Sequence, residues 1–350
     1  MNEKKPNPLS FQLDVSAFVP ATQEEKESLV IMRESRSFWK DGIHRLSKNI
    51  VAMVSLIVIV IVLIFAFVVP TFYPYDYKTQ DKVGGNTPPM GYSTQEQAKI
   101  DAGEFVFPHF LGTDNAGRDL TVRIMMGSRI SLLVGILASA IIMLIGSTYG
   151  AIAGYFGGRA DQIMIRIVDM IYTVPDLIII ILLMTTLKYP LQSLADSSPA
   201  FHWINTLGVG LICIFIVFAL LYWVGMARII RSQILSLKEQ EYVTAARALG
   251  SSHRRIIQKH LLKNCIGMII VTTTLQIPSA IFTESFLSFI GLGVAAPMPS
   301  LGSLASEALS GITSFPHRLL APAIMISIII LSFNLLGDGL RDAFDPKLKK

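Results

Sequence analysis

Apolar residues fill the chain from Ile50 to Val69 without a single charge. Twenty residues at roughly 1.5 Å per residue cross the ~30 Å hydrocarbon core of a bilayer, so the pattern predicts a transmembrane helix there. Pro70, Tyr73, Pro74 and Tyr75 come next. They combine helix-ending prolines with rings that favour the headgroup layer, and the chain is expected to leave the membrane at that point. Further apolar stretches run over 130–156, 163–187, 205–227, 265–290 and 319–337. The predicted fold is therefore an all-α integral membrane protein with six transmembrane helices. Residues 76–129 are polar and rich in turn formers, with Gly84, Gly85, Asn86, Thr87, Pro88 and Pro89 at their centre, which predicts a loop or small extracytoplasmic excursion. The organisation reads as an N-terminal segment 1–49, a first helix 50–70, an extracytoplasmic segment 71–129, a five-helix domain 130–342 and a tail 343–350.

Lysine and arginine set the orientation. Arg33, Arg36, Lys40, Arg45 and Lys48 precede the first stretch, and Arg228, Arg231, Lys238, Arg247, Arg254, Arg255, Lys259 and Lys263 lie between the fourth and fifth. With six crossings these segments and both termini share one side, and the positive-inside bias makes it the cytoplasm. Arg118, Arg123 and Arg129 fall on the outer side, where Asp114 and Asp119 are expected to neutralise them in part.

Composition agrees: hydrophobic residues make up 52% and charged residues 16% of 350 positions, a balance that excludes an ordinary water-soluble domain. The formal charge of +5 is spread beside apolar runs and forms no stripe or tail, so no nucleic-acid partner is implied. Cys213 and Cys265 are too few for a disulfide framework and read as packing residues. The first apolar run begins only at Ile50, after a leader holding Glu24, Glu25, Glu27 and Glu34, so it reads as a retained span and not a cleaved signal. The first 37 residues are expected to be mobile unless a partner holds them.

Within the spans, Gly146, Gly150 and Gly154 recur every four residues and line one helical face, which favours close helix packing over a hinge. Thr272, Gln276, Ser279 and Thr283 place polar groups on one face of the fifth span, interrupted by Pro278. Two readings stand: the stripe lines a hydrated path, or it forms ordinary interhelical hydrogen bonds. A charge in lipid is costly unless paired or hydrated. Arg166 and Asp169, three apart, are expected to pair with each other. Asp176, beside Pro175, is the better candidate to face a cavity, and Glu284 is expected to meet a charged substrate or a partner subunit.

The segment from Glu241 to His260 predicts a helix, a tight turn and a second helix. Ala245, Ala246 and Arg247 favour helix, Gly250 suits a left-handed C-terminal position, and Ser251 or Ser252 can cap the second helix. Two short rigid helices transmit force where a flexible loop absorbs it. The plainer reading is a solvated amphipathic loop.

Thr244, Ala245, Ala246 and, after three residues, Gly250 resemble the EAA loop of type I ABC importer permeases. Phe110 to Asp119, Gly127 to Leu132, Tyr155 to Gly158, Arg166 to Met170, Phe289 to Val294 and Asn334 to Lys347 resemble the C-type permease of bacterial oligopeptide, dipeptide and nickel importers. The resemblance runs from about Phe38 to the C-terminus. It implies that the loop 228–264, through Glu241, Thr244, Ala245, Ala246 and Gly250, docks into a cleft on an ATPase subunit. Thr244 stands where the family commonly has glutamate, which removes an ionic contact. Lys263 stands where a proline is common, which implies a straighter approach to the fifth span. The resemblance further implies a second homologous permease, one or two ABC ATPase subunits carrying ATP and Mg, an extracytoplasmic substrate-binding protein and the inner membrane of a bacterium.

No lysine follows a glycine, so this chain carries no G-x-x-x-x-G-K-[ST] phosphate loop, and no cofactor or catalytic residue is expected in it. A candidate path of Asp176, Thr272, Gln276, Ser279, Thr283 and Glu284 offers hydroxyls, an amide and carboxylates. It favours oligopeptides over nickel, because no membrane histidine or thiolate pair suits a metal; a nickel or dipeptide importer permease of the same family is the alternative. The rival from another class is an ion-coupled secondary transporter with Asp176 and Glu284 as relays. A membrane enzyme is disfavoured, since the six histidines are scattered.

Overall fold

The computed structural model describes residues 22, 38–81, 85–294 and 298–344. Two units are distinguished, 1–41 and 42–350. Only Thr22 and 38–41 of the first are described, so the expectation for the leader lies outside the described residues, as does most of the tail. Helix α1 covers Phe38–Lys48. Among the described residues six helices are long and apolar enough to cross a membrane: α2 (Ile50–Phe72), α4 (Leu120–Phe156), α6 (Asp176–Ser197), α8 (Val209–Leu237), α11 (Ile266–Phe289) and α13 (His317–Phe344). Between them lie α3 (Thr94–Asp101), α5 (Gly158–Tyr172), α7 (His202–Leu207), α9 (Glu241–Ala248), α10 (253–264) and α12 (Leu301–Ala308).

Six spans are present as predicted, but the third lies at Asp176–Ser197 and not over 163–187, and the edges of others move for local reasons. Helix α2 passes Pro70 and ends at Phe72 after a π turn over Ile64–Val68. Pro70 cannot donate to the Ala66 carbonyl four residues back, and Arg129 supplies the missing donor through Nε at 3.0 Å. Helix α4 starts ten residues before the apolar run because the Asp119 carboxylate accepts the Val122 N–H at 2.8 Å and caps it.

The extra turns carry Arg123, which is 1% exposed, to Asp114 and to Glu307 on α12. The expected neutralisation by Asp119 does not occur: Asp114 takes Arg118 and Arg123, whereas Asp119 faces His109.

The third apolar stretch is broken. Pro175 lacks an N–H and disfavours helix at Val174, so α5 stops at Tyr172 and α6 starts at Asp176. Asp169 does not pair with Arg166; it accepts from Arg228 of α8 at 2.7 Å.

Helices α4 and α8 form the centre of the molecule, and the glycine face is their contact. A Cβ at Gly146 would lie 2.6 Å from the Met226 side chain, and one at Gly154 2.9 Å from the Arg231 carbonyl. Only glycine lets the two backbones approach so closely. Val134, Ala138 and Ile142 of α4 then pack with Cys213, Ile214, Val217 and Met226 of α8. Cys265 joins the same core, so both cysteines are packing residues. A second core joins α2, α11, α12 and α13 through Ile59, Ile281, Leu304 and Phe333.

Candidate functional site

Three departures from regular helix meet beside one cavity. They are the break before Asp176, a π turn over Phe218–Tyr222 in α8, and Pro278 in α11. Irregular backbone inside a membrane is tolerated where it lines a hydrated space, and π turns recur at functional sites. The cavity encloses about 270 Å³ and is lined by Asp176, Tyr222, Gln276 and Ser279 together with apolar neighbours. Tyr222 and Ser279 lie near the midpoints of α8 and α11 and Asp176 opens α6, so the cavity lies between the middle of two spanning helices and the start of a third.

Asp176 is exposed, at the first turn of α6, where the helix dipole favours a carboxylate. The Thr283 hydroxyl donates to the Ser279 carbonyl at 3.0 Å, which leaves the Tyr222 hydroxyl to donate to Thr283 across 3.0 Å.

The structure thus divides the polar stripe between its two readings. Gln276 and Ser279 line the cavity with Asp176 and Tyr222. Thr283 is buried and hydrogen-bonds another helix, and Thr272 is buried outside the cavity lining. Tyr222 escapes a sequence reading, because an aromatic in an apolar run carries no polar signal until its hydroxyl finds Thr283.

Glu284 corrects the sequence expectation more sharply. It is 0% exposed and sealed inside this chain, where Ser131 and Ser288 each donate a hydroxyl at 2.8 Å and Ser285 reaches it at 3.4 Å. A group so enclosed faces neither a substrate nor a partner. Ser288 also accepts the Val294 N–H at 3.0 Å, so the carboxylate anchors the turn that leaves α11.

A second surface is built at the pole carrying 238–265. Helix α9 ends in a Schellman motif: Gly250 takes φ +74°, its N–H bonds the Arg247 carbonyl at 2.9 Å, and Ser251 bonds the Ala246 carbonyl at 3.0 Å. Ser252 then caps α10 by accepting the Arg255 N–H at 3.4 Å. The pair is fastened to the bundle. Val243, Ile256 and Leu261 are fully buried in the main core, the Tyr155 hydroxyl lies 2.8 Å from His253 Nδ1, and the Arg247 guanidinium sits 5.2 Å over the Tyr155 ring.

Glu241, Thr244, Ala245 and Gly250 are exposed, whereas Ala246 is buried and packs inward. Ala246 therefore seats α9 against the core. Leu249, next to the turn, is 86% exposed, which the sequence does not signal, since a leucine before Gly250 reads equally as core. The approach to α11 carries a π turn over Ile256–Leu261 before Lys263 and a turn at Cys265 that keeps right-handed helical φ and ψ.

At the opposite pole His109 is clasped by Asp119 at 2.6 Å and Glu96 at 3.2 Å and stacks on Tyr75 at 4.2 Å. Burial disfavours its charged form, but the two carboxylates outweigh that and raise its pKa. Burial also pushes Tyr73 up to about 12.

Residues 146–350 match the family described as binding-protein-dependent transport system inner membrane component, and residues 37–89 match the N-terminal TM domain of oligopeptide transport permease C. The chain is similar to the oligopeptide transport system permease protein OppC of Bacillus subtilis (strain 168), 41% identical over 333 residues that cover 95% of this chain and 97% of that protein. It is 40% identical over 334 residues to the dipeptide transport system permease protein DppC of the same organism, covering 95% and 93%. The OppC of Haemophilus influenzae is 39% identical over 316 residues, 90% of each chain.

Proposed function

This chain belongs to the family of binding-protein-dependent transport system inner membrane components, and from that premise we propose that it is the permease subunit of an ATP-driven importer of oligopeptides. It is a multi-pass inner-membrane transport protein. The peptide assignment draws on the similarity to oligopeptide and dipeptide permeases and on the chemistry of the cavity beside Asp176. Asp176 suits a peptide ammonium, while the Gln276 amide and the Ser279 and Tyr222 hydroxyls suit backbone amides and carbonyls. Among the described residues neither imidazole nor thiolate lines that cavity, which argues against nickel.

In this reading both termini and α9–α10 face the cytoplasm, and residues 73–119 face outward. A second, homologous permease completes the path, a substrate-binding protein delivers the peptide, and separate ATPase subunits bind ATP and Mg. Docking falls to the exposed Glu241, Thr244, Ala245, Leu249 and Gly250. ATPase closure moves α9–α10, and because Tyr155 and the core hold that pair to α4, the movement reaches the bundle.

The observation that carries the reading is the convergence of three helix irregularities on the polar cavity. Its test is ATP-dependent uptake of a labelled oligopeptide by the reconstituted complex. Gln276→Leu and Asp176→Ala are expected to lower uptake with basal ATPase activity kept. Normal uptake in both variants would remove the cavity from the path, and uptake by the chain alone without ATP would return the ion-coupled alternative.

A further inference from the structure

A cavity of about 940 Å³ lies between α4 and the α10–α11 junction, apart from the proposed path. Its rim carries Arg255, Lys259 and Lys263, and its wall is formed by Met143, Ile266 and Ile270. The three cations stand four residues apart across the π turn of α10, and among the described residues no carboxylate lines the space. Several arginines elsewhere have carboxylate partners, Arg123 with Asp114 and Glu307, Arg228 with Asp169 and Arg231 with Asp161, whereas buried Arg318 is held by neutral acceptors, the Asn115 amide oxygen and the Thr113 carbonyl. Among the described residues Arg255, Lys259 and Lys263 form no ion pair, so like charges repel along one helix face unless an anion joins them.

We propose that this cavity binds an anionic phospholipid, with its phosphate against Arg255, Lys259 and Lys263 and an acyl chain along Met143, Ile266 and Ile270. The depth supports this occupant. The cations precede the start of α11 by three to eleven residues, at the boundary where headgroups lie, and the isoleucines begin the span itself. Basic pockets between transmembrane helices on the cytoplasmic side have the charge and position to hold such headgroups. A free phosphate meets the cations and leaves the apolar wall uncovered. The site joins the docking helices to the span that carries Gln276 and Ser279, so an occupied cavity stiffens that junction.

The inference rests on the proposed cytoplasmic placement of α10, but its readout does not depend on transport. The full chain, as it purifies with its partners, is placed in nanodiscs of phosphatidylcholine with a minor fraction of phosphatidylglycerol, and retained lipid is measured by native mass spectrometry after delipidation. Phosphatidylglycerol is expected to be retained over phosphatidylcholine, and Lys259→Gln/Lys263→Gln to weaken that retention by roughly tenfold or more. Lys259→Arg/Lys263→Arg, which keeps both charges, restores retention, and Lys238→Gln, outside the cavity, leaves it unchanged. Equal retention in the glutamine variant and the wild type overturns the site. Displacement of phosphatidylglycerol by millimolar inorganic phosphate assigns the pocket to free phosphate instead. Capture of a second permease by a crosslinker at position 263, with no lipid retained, assigns it to a subunit interface. A chain with no ATPase partner but normal lipid selectivity keeps this site and rejects only the transport reading.

Discussion

Tyr155, in the last turn of α4, and His253, in the first turn of α10, are joined by a 2.8 Å hydrogen bond between Oη and Nδ1. They are 98 residues apart in sequence. The bond ties the surface proposed to receive the ATPase to the longest helix of the bundle, and Arg247 reinforces it from the opposite helix of the pair. Tyr155→Phe removes the hydroxyl and keeps the ring, at a cost of about 1 kcal/mol. Faster amide exchange over 241–264 is expected, with protection of the α4–α8 contact unchanged. Identical exchange in both proteins would show that buried Val243 and Ile256 alone hold the pair.

Gly250 adopts φ +74°, and a Cβ there would meet nothing within 4 Å. The demand is conformational and not steric, so Gly250→Ala costs about 1–2 kcal/mol in the left-handed region. Gly250→Pro, which cannot reach positive φ, forces the turn open. We expect the proline variant to assemble and hydrolyse ATP while peptide uptake falls; unimpaired uptake would sink the docking assignment. A bulky residue at buried Ala246 is expected to act differently, by unseating α9 from the core, and to lower thermal stability as well as uptake.

Glu284→Leu removes the acceptor of the Ser131 and Ser288 hydroxyls in a sealed site, at about 1–3 kcal/mol for each donor left unpaired. Glu284→Gln keeps an acceptor and is expected to be milder. A thermal-shift series should rank wild type above glutamine above leucine. Loss of transport with stability unchanged would instead make Glu284 a functional relay.

His109 links α3, through Glu96, to the cap of α4, through Asp119. Its pKa in the folded protein is raised, so its contribution is complete below the ordinary imidazole value of about 6.5 and is lost as pH rises through the higher folded value. Amide protection of 94–120 is expected to decline over that interval, and His109→Asn to flatten the dependence. A pH-independent wild type would show that the imidazole stays neutral between its carboxylates.

The sequence by itself determined the six spans, the helix–turn–helix with Gly250 at its hinge, and the close contact along Gly146, Gly150 and Gly154. Each comes from a local rule: hydrocarbon thickness, the conformational freedom of glycine, and the four-residue period of a helix face. Helix edges escaped it, because a capping carboxylate such as Asp119 extends a helix past the end of its apolar run. Only the tertiary structure decided which polar groups face a cavity. Thr272, Gln276, Ser279, Thr283 and Glu284 share similar spacing and polarity, yet Gln276 and Ser279 open onto the space beside Asp176 while Glu284 is closed off by three serines. The same holds for ion pairing, where Asp169 pairs with Arg228 of another helix and not with Arg166 on its own. Periodicity fixes the face of one helix, but which neighbour covers that face depends on how close the glycine contacts bring α8 to α4 and where Pro175 and Pro278 bend the rest.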